Sequence, residues 1–227
     1  RSINAGELSD DVNQFKGSYE GGGFAIDGLT INIPSGHVGL FAFVFNAGIS
    51  GIELSNVDID GTTMIGALAG QYVADGAIVE IDSLVISGEV KGDGLIGGLI
   101  GQAVSALSDG TNFKVNNIET NLNITSSTHS LSLVGGVIGR IDGQNIQITN
   151  SSVSGKISAS MVIKEVGGII GLANGSHIYI DNMISNLDII TDGVYEGTGG
   201  ANIQQVGGII GNYSGSSLIF SNNLMYG

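Results

Sequence analysis

The chain has 227 residues, of which 42% are hydrophobic and 12% are charged, and its formal net charge is −14. Only seven Lys and Arg residues stand against 21 Asp and Glu residues, which excludes a basic surface for nucleic acid or for an anionic membrane. The 39 glycines do not recur at every third position, which excludes collagen, and the absence of cysteine excludes disulfides and zinc–thiolate sites.

The N-terminal segment, residues 1–34, lacks the repeat pattern of the rest of the chain. We expect it to be a lead-in that caps the first coil of one continuous repeat domain, residues 35–227. Arg1–Gly6 has no apolar core of the kind that a signal peptide contains. The longest uncharged apolar run, Val38–Ile52, is shorter than a membrane span and contains Asn46, so no membrane insertion is expected.

A glycine-rich motif recurs along the chain at intervals of 27 to 40 residues. Its two identical copies read VGGIIG, at Val166–Gly171 and Val206–Gly211. The first glycines of the six copies are Gly39, Gly66, Gly97, Gly135, Gly167 and Gly207. Repetition of this kind is typical of solenoids, in which each repeat buries its apolar face only against its neighbours.

Each glycine motif is followed by an apolar alternation, a polar pair and a second alternation, as in IYIDNMIS from Ile178. Alternation with a period of two residues predicts strands, and the polar pair predicts a corner between them. The pattern therefore predicts an all-β fold, a right-handed parallel β-solenoid (β-helix). We expect about six coils with three short strands each.

The second member of the polar pair is nearly always asparagine, which tolerates a positive φ at a corner. A gapless superposition of the repeats predicts that these residues stack in one corner ladder, with amides bonded from coil to coil. A row of ligand-binding amides is the alternative for the same residues. The six residues are Asn56, Ser83, Asn117, Asn150, Asn182 and Asn222.

The glycine motif allows two geometries. A straight strand would turn one apolar column outward and create an exposed contact stripe. A sharp bend at glycine would turn both isoleucines of VGGIIG inward, and we favour this geometry because glycine permits close approach of the backbone. The column in question contains Phe41, Leu68, Leu99, Val137, Ile169 and Ile209.

The chain shows no catalytic constellation in its sequence. The superposition makes Glu53 and Glu80 neighbours on an outward face, but a lone carboxylate pair in solvent is a weak sign of acid–base chemistry. No HExxH motif or calcium nonapeptide occurs, and the seven Asp-Gly pairs indicate turns, with calcium as the remaining option. The three histidines fall in different repeats, at His37, His129 and His177. We therefore expect no enzyme activity and assign no catalytic, cofactor or metal residue.

The repeats resemble the GLUG motif of bacterial secreted and cell-surface proteins. Val166–Met183 (VGGIIGLANGSHIYIDNM) is similar to the motif, and Phe15–Ile33 resembles the segment that precedes such repeats. The sequence departs from the pattern at Ala42, where glycine is usual, and at Glu20, where aspartate is usual. The family includes repeat regions of adhesins and of IgA-specific metallopeptidases, and the motif itself contains no catalytic residue.

The resemblance implies a non-catalytic module of a large bacterial surface or secreted protein, acting as a stalk, spacer or adhesive surface. Two alternatives are an accessory region of a secreted hydrolase whose catalytic domain lies elsewhere and a glycan-active β-helix enzyme. The expected partners are a host glycan or protein receptor, or neighbouring repeats or subunits of the same protein. The expected location is extracellular or at the cell surface.

Overall fold

The computed structural model describes residues 14–107, 109–126, 132–159, 163–191 and 205–226. Within these ranges the chain contains strands and no helix, so no segment there has the helical length and apolar character needed to cross a membrane. The strands are β1 (Tyr19–Glu20), β2 (Ala25–Asp27), β3 (Thr30–Asn32), β4 (His37–Val38), β5 (Phe41–Phe45), β6 (Ile49–Gly61), β7 (Met64–Gly66), β8 (Ala69–Ala74), β9 (Ile78–Gly92), β10 (Leu95–Gly97), β11 (Ile100–Ser105), β12 (Asn112–Ser126), β13 (Ser132–Gly135), β14 (Ile138–Ala159), β15 (Ile163–Gly167), β16 (Ile170–Thr191), β17 (Gln205–Gly207), β18 (Ile210–Ser214), β19 (Leu218–Ser221) and β20 (Leu224–Tyr226).

The strands form two sheets, and every pairing among the described strands is parallel. The smaller sheet stacks β4, β7, β10, β13, β15 and β17, so each glycine motif contributes one strand to it. In the larger sheet the long strands β6, β9, β12, β14 and β16 are neighbours in chain order. Stacking of successive repeats as parallel neighbours confirms the predicted parallel β-solenoid.

The glycine motif forms a sharp bend between the two sheets. In the fifth copy β15 ends at Gly167, the chain bends at Gly168 and Ile169, and β16 begins at Ile170. Ile169 and Ile170 both have 0% exposure, so both isoleucines face the core. The favoured bent geometry is the one that the molecule adopts.

The alternative prediction, an exposed contact stripe formed by this column, is therefore wrong. Leu68, Leu99, Val137 and Ile169 are all 1% exposed or less, and Phe41 and Ile209 are partly buried against the same core. The bend keeps this column out of solvent because both consecutive isoleucines of the motif, such as Ile169 and Ile170, are buried in the core. The apolar stripe is core rather than a binding face.

Glycine is required at the bend of the fifth copy because backbone meets backbone there. A Cβ at Gly167 would collide with the Ile170 carbonyl oxygen of the same bend, and one at Gly168 with the Gly208 carbonyl oxygen of the following coil. A Cβ at Gly171 would lie 2.6 Å from the Gly139 carbonyl oxygen of the preceding coil. The motif thus removes side chains along one edge of the stack so that its two sheets can converge.

The described part of the N-terminal segment lies on the first coil. Tyr19 pairs with Ile49 of β6, and Thr30 pairs with Asp58 of the same strand. Phe15 forms an isolated parallel bridge with Val44. Residues 14–33 therefore add an incomplete coil over β6, while residues 1–13 of the predicted cap lie outside the described ranges.

Replacing Gly168 by alanine should destabilise the chain by about 1–3 kcal/mol or more, because the new Cβ must displace the neighbouring backbone. Gly208 is the matched control, since it holds the equivalent position one coil later and its nearest neighbour is the Met225 Cε at 3.6 Å. Gly208→Ala should change the free energy of unfolding by less than about 0.5 kcal/mol. Equal losses for the two variants in urea titrations would contradict the account of the bend.

Candidate functional site

Five of the six predicted ladder residues form a single line of corners in the larger sheet. Strand pairing places each of them beside its counterpart in the next coil. Each has a left-handed backbone, with φ between 50° and 58°. Asparagine and serine are short enough to adopt this conformation, which turns the chain between two straight segments. We call this line the corner file: Ser83, Asn117, Asn150, Asn182 and Asn222.

Asn56 does not belong to the corner file, so the gapless superposition is wrong for the first repeat. Ser50 pairs with Asp82 and Ile52 with Leu84, which makes Gly51 the counterpart of Ser83. The register then shifts between Leu54 and Val57, where β6 carries an extra residue. Asn56 still has a φ of 55°, but its corner stacks on the N-terminal segment instead.

The observed register of β6 on β9 also separates the two glutamates that the sequence alignment made neighbours. Glu53 pairs with Val85, while Glu80 lies one residue before Ile81, the partner of Ile49. The two glutamates therefore belong to different outward rows on opposite sides of the corner. No neighbouring pair of Glu53 and Glu80 exists to support acid–base chemistry.

The corner amides mostly bond to the residue before the preceding corner, not to the preceding amide. The Asn117 and Asn222 amides donate to the carboxylates of Asp82 and Asp181 over 2.9 Å each, and Asn150 donates to the Asn116 carbonyl over 2.8 Å. Only Asn182 among the described corners donates to the preceding corner residue, Asn150, over 2.8 Å. The residue before the Asn150 corner is Thr149, which offers a hydroxyl in place of the carbonyl or carboxylate oxygen that Asn116, Asp82 and Asp181 offer.

The corner carboxylates are held in their charged form. Burial raises the pKa of Asp82, but hydrogen bonds from Ser83, Asn116 and Asn117 outweigh it and leave that pKa below 3.8. Hydrogen bonds from Ser221 and then Asn222 similarly lower the pKa of Asp181. These shifts have a structural cause, because the carboxylates accept bonds from the next coil.

Two polar side chains that the sequence reasoning missed lie in the inward column just after the corner. Toward the following coil, strand pairing skips Ile118, and its amide donates instead to the Ser151 hydroxyl over 3.0 Å. Pairing likewise skips Met183, whose amide donates to the Asn223 side-chain carbonyl over 2.9 Å. Each side chain replaces a missing backbone partner, and the signal is a polar residue in an otherwise apolar column.

A groove of about 480 Å³ follows the corner file along the stacking axis. Its lining comes from four successive coils at one register, so the groove crosses the strands instead of following one of them. Four residues of the corner file contribute, together with the residues two positions further along each repeat. We call the latter the outward row: Val85, Glu119, Ser152 and Ile184. The groove is thus lined by amides, hydroxyls, one carboxylate and aliphatic groups.

The part of the chain that the structure describes contains no group of three or more His, Asp or Glu residues that could hold a metal ion. His37 and His177 lie in different coils, and His129 falls outside the described ranges. Five glycines of the Asp-Gly pairs have a positive φ, which fits the turn interpretation: Gly28, Gly76, Gly94, Gly110 and Gly143. The pair at Asp192 lies outside the described residues.

Ser151→Ala should cost about 1–3 kcal/mol of unfolding free energy, because the buried Ile118 amide loses its acceptor. The matched control is Ser152→Ala on the outward row, which should change stability by less than about 0.5 kcal/mol. Guanidinium titrations of both variants decide the point. Indistinguishable midpoints would show that the hydroxyl does not replace the interrupted ladder.

Asp82→Asn tests the corner carboxylate through pH. Since the folded pKa of Asp82 is lowered, its charge stabilises the fold above the ordinary value of 3.8 and this contribution disappears as pH falls through the folded pKa. The stability difference between the parent chain and the variant should therefore be constant near neutral pH and shrink below about pH 4. A difference that stays the same down to about pH 2 would contradict the assignment.

The comparisons with known proteins agree with this architecture. Residues 130–158 match the family model described as the GLUG motif. The chain is 29% identical over 166 residues to an immunoglobulin A1 protease of Streptococcus pneumoniae and 30% identical over 166 residues to one of Streptococcus sanguinis. Each match covers 70% of this chain but only 8% of the relative's length.

Two solved structures share the fold. An IgA1 protease structure superimposes with a TM-score of 0.61 at 20% identity, covering 88% of this chain and 15% of the other. A protein assigned as a candidate immunoglobulin A1 protease from Bacteroides ovatus gives 0.50 at 16% identity, covering 86% and 68% respectively. The chain is therefore a parallel β-solenoid that contains a GLUG-motif match at residues 130–158 and is similar, over most of its length, to one small part of immunoglobulin A1 proteases.

Proposed function

We propose that this chain is a non-catalytic accessory module of a larger secreted or cell-surface protein related to immunoglobulin A1 proteases. The observation that carries the proposal is the extent of the similarity. It includes 70% of this chain and 8% of each protease, so this chain corresponds to a small part of a much longer enzyme. A module of this size adds a surface or a spacer to a catalytic unit encoded elsewhere.

The architecture supports a spacer that also presents a surface. Each coil pairs with its neighbours in parallel, and neighbouring strands in such a stack lie about 4.8 Å apart. Stability in solenoids is distributed along the stack, so coils can be added without disturbing a single central core. The result is an elongated element whose side faces repeat the same positions from coil to coil.

One pair of carboxylates among the described residues fits a structural role. Asp58 lies beside Glu89 in the next coil, and the Lys91 ammonium contacts their carboxylates at 2.8 and 3.2 Å. The hydrogen bonds that the Lys91 ammonium donates to Asp58 and, with a smaller effect, to Glu89 raise the pKa of Lys91. Both carboxylates are about half exposed, and ion pairs of this kind on a solvated face are common surface features.

The extracellular location belongs to the same proposal. Immunoglobulin A1, which the names of the relatives specify as their substrate, is an extracellular protein. The large excess of acidic residues gives a surface that repels nucleic acid and anionic lipid headgroups. We therefore propose extracellular partners for the module.

The isolated chain should not hydrolyse immunoglobulin A1, casein or neutral and acidic polysaccharides. Mass spectrometry of peptides and chromatography of released sugars measure this directly. The control is the double variant Asp58→Asn with Glu89→Gln, which removes the described carboxylate pair. Turnover by the parent chain that is abolished in this variant would overturn the non-catalytic assignment.

A further inference from the structure

We propose that the groove along the corner file binds a neutral oligosaccharide chain lying parallel to the stacking axis. This inference deepens the proposed function, because it names the ligand class that an accessory module of this kind would bind without cleaving. It depends on the register, burial and chemistry of the groove.

The groove presents the same polar group at regular intervals. Asn117, Asn150 and Asn182 occupy the same register in successive coils, so their amides recur about every 4.8 Å. The three coil steps from Ser83 to Asn182 span about 14 Å. One sugar ring of an extended pyranose chain advances by a similar distance, so successive rings can meet equivalent amides.

The lining has the two kinds of surface that a sugar ring has. Each amide combines a carbonyl acceptor with an NH₂ group, and the corner bonds described above use one donor contact per amide and, at Asn150, one contact to the carbonyl oxygen. Val85 and Ile184, at the two ends of the outward row, add exposed aliphatic surface to the lining, with 46% and 47% exposure. Hydroxyl groups of a sugar fit the amides and the other polar groups of the lining, and the C–H faces of its ring fit the aliphatic side chains at the two ends.

Charge selects against acidic ligands. Glu119 is the charged side chain in the lining, and the lining contains no lysine or arginine. The chain as a whole has a formal charge of −14. A uronic acid polymer, a sialylated glycan or a phosphate-bearing chain would be repelled, whereas a neutral glycan would meet no such barrier.

An extended peptide fits the groove less well. A peptide lying across the coils cannot join the sheets, because peptides add to sheets at strand edges and the long strands beside the groove are paired on both sides. Side chains on one face of an extended peptide recur about every 6.7 Å, which does not match a 4.8 Å ladder. The spacing therefore favours a sugar chain.

The test uses the complete 227-residue chain and an array of neutral hexasaccharides (cello-, malto-, manno- and xylo-oligosaccharides). Oligogalacturonate, sialylated glycans and an extended peptide serve as comparison ligands, and titration calorimetry follows for each positive. We expect binding to at least one neutral hexasaccharide and none to the acidic glycans or the peptide. Binding to none of the neutral sugars, or preferential binding to acidic glycans or the peptide, would overturn the proposal.

Ser152→Tyr places a bulky ring in the groove without changing the corner file and should weaken neutral-glycan binding at least about tenfold. Gln147→Tyr is the matched control, since Gln147 lies in the same coil before the corner and outside the groove lining. It should bind like the parent chain, with both variants checked by thermal unfolding. Unchanged binding in a folded Ser152→Tyr variant would overturn the groove assignment. Cleavage of a bound sugar would instead refute the non-catalytic function and leave the groove in place.

Discussion

Direct backbone contact at the glycine bend is the constraint on which the rest of the structure depends. Along this edge the two sheets approach so closely that a Cβ at Gly167, Gly168 or Gly171 would overlap a carbonyl oxygen of the same or an adjacent coil. The close approach turns the flanking isoleucines into the core and sets the position of every coil relative to its neighbours. The remaining corners must then turn the chain without disturbing that register.

The corner file shows how the turn is made and what it leaves for function. A left-handed residue turns the chain, and at two of the coil steps the backbone ladder beside it is interrupted. There the side chains of Ser151 and Asn223 restore the missing bonds. The corner residue is polar in the five coils from Ser83 to Asn222, and four of these residues line the groove. The proposed glycan site is thus a by-product of a structural requirement, since the ladder supplies regularly spaced amides.

The sequence predicted the architecture because its signals are local and repeated. The alternation of residues such as Ile178 and Ile180, and the polar pair that follows, indicate strand and corner without reference to distant contacts. The error at Asn56 arose because β6 contains two left-handed corners, at Gly51 and Asn56, and the local pattern does not show which of them aligns with Ser83. The local pattern also does not show the bonds from corner amides to Asp82 or Asn116, since these bonds depend on the offset between coils. The same is true of the gap in the backbone ladder at which the Ser151 hydroxyl accepts a bond.

Disulfide cross-linking tests the register most directly, because the chain has no cysteine of its own. Cysteines at Asn117 and Asn150 would occupy adjacent corners of one file, within the range of separations that a disulfide can span. Cysteines at Asn56 and Ser83 would lie on different corners. The account predicts rapid oxidation of the first pair and none of the second in the folded chain. Cross-linking of the second pair with failure of the first would contradict it.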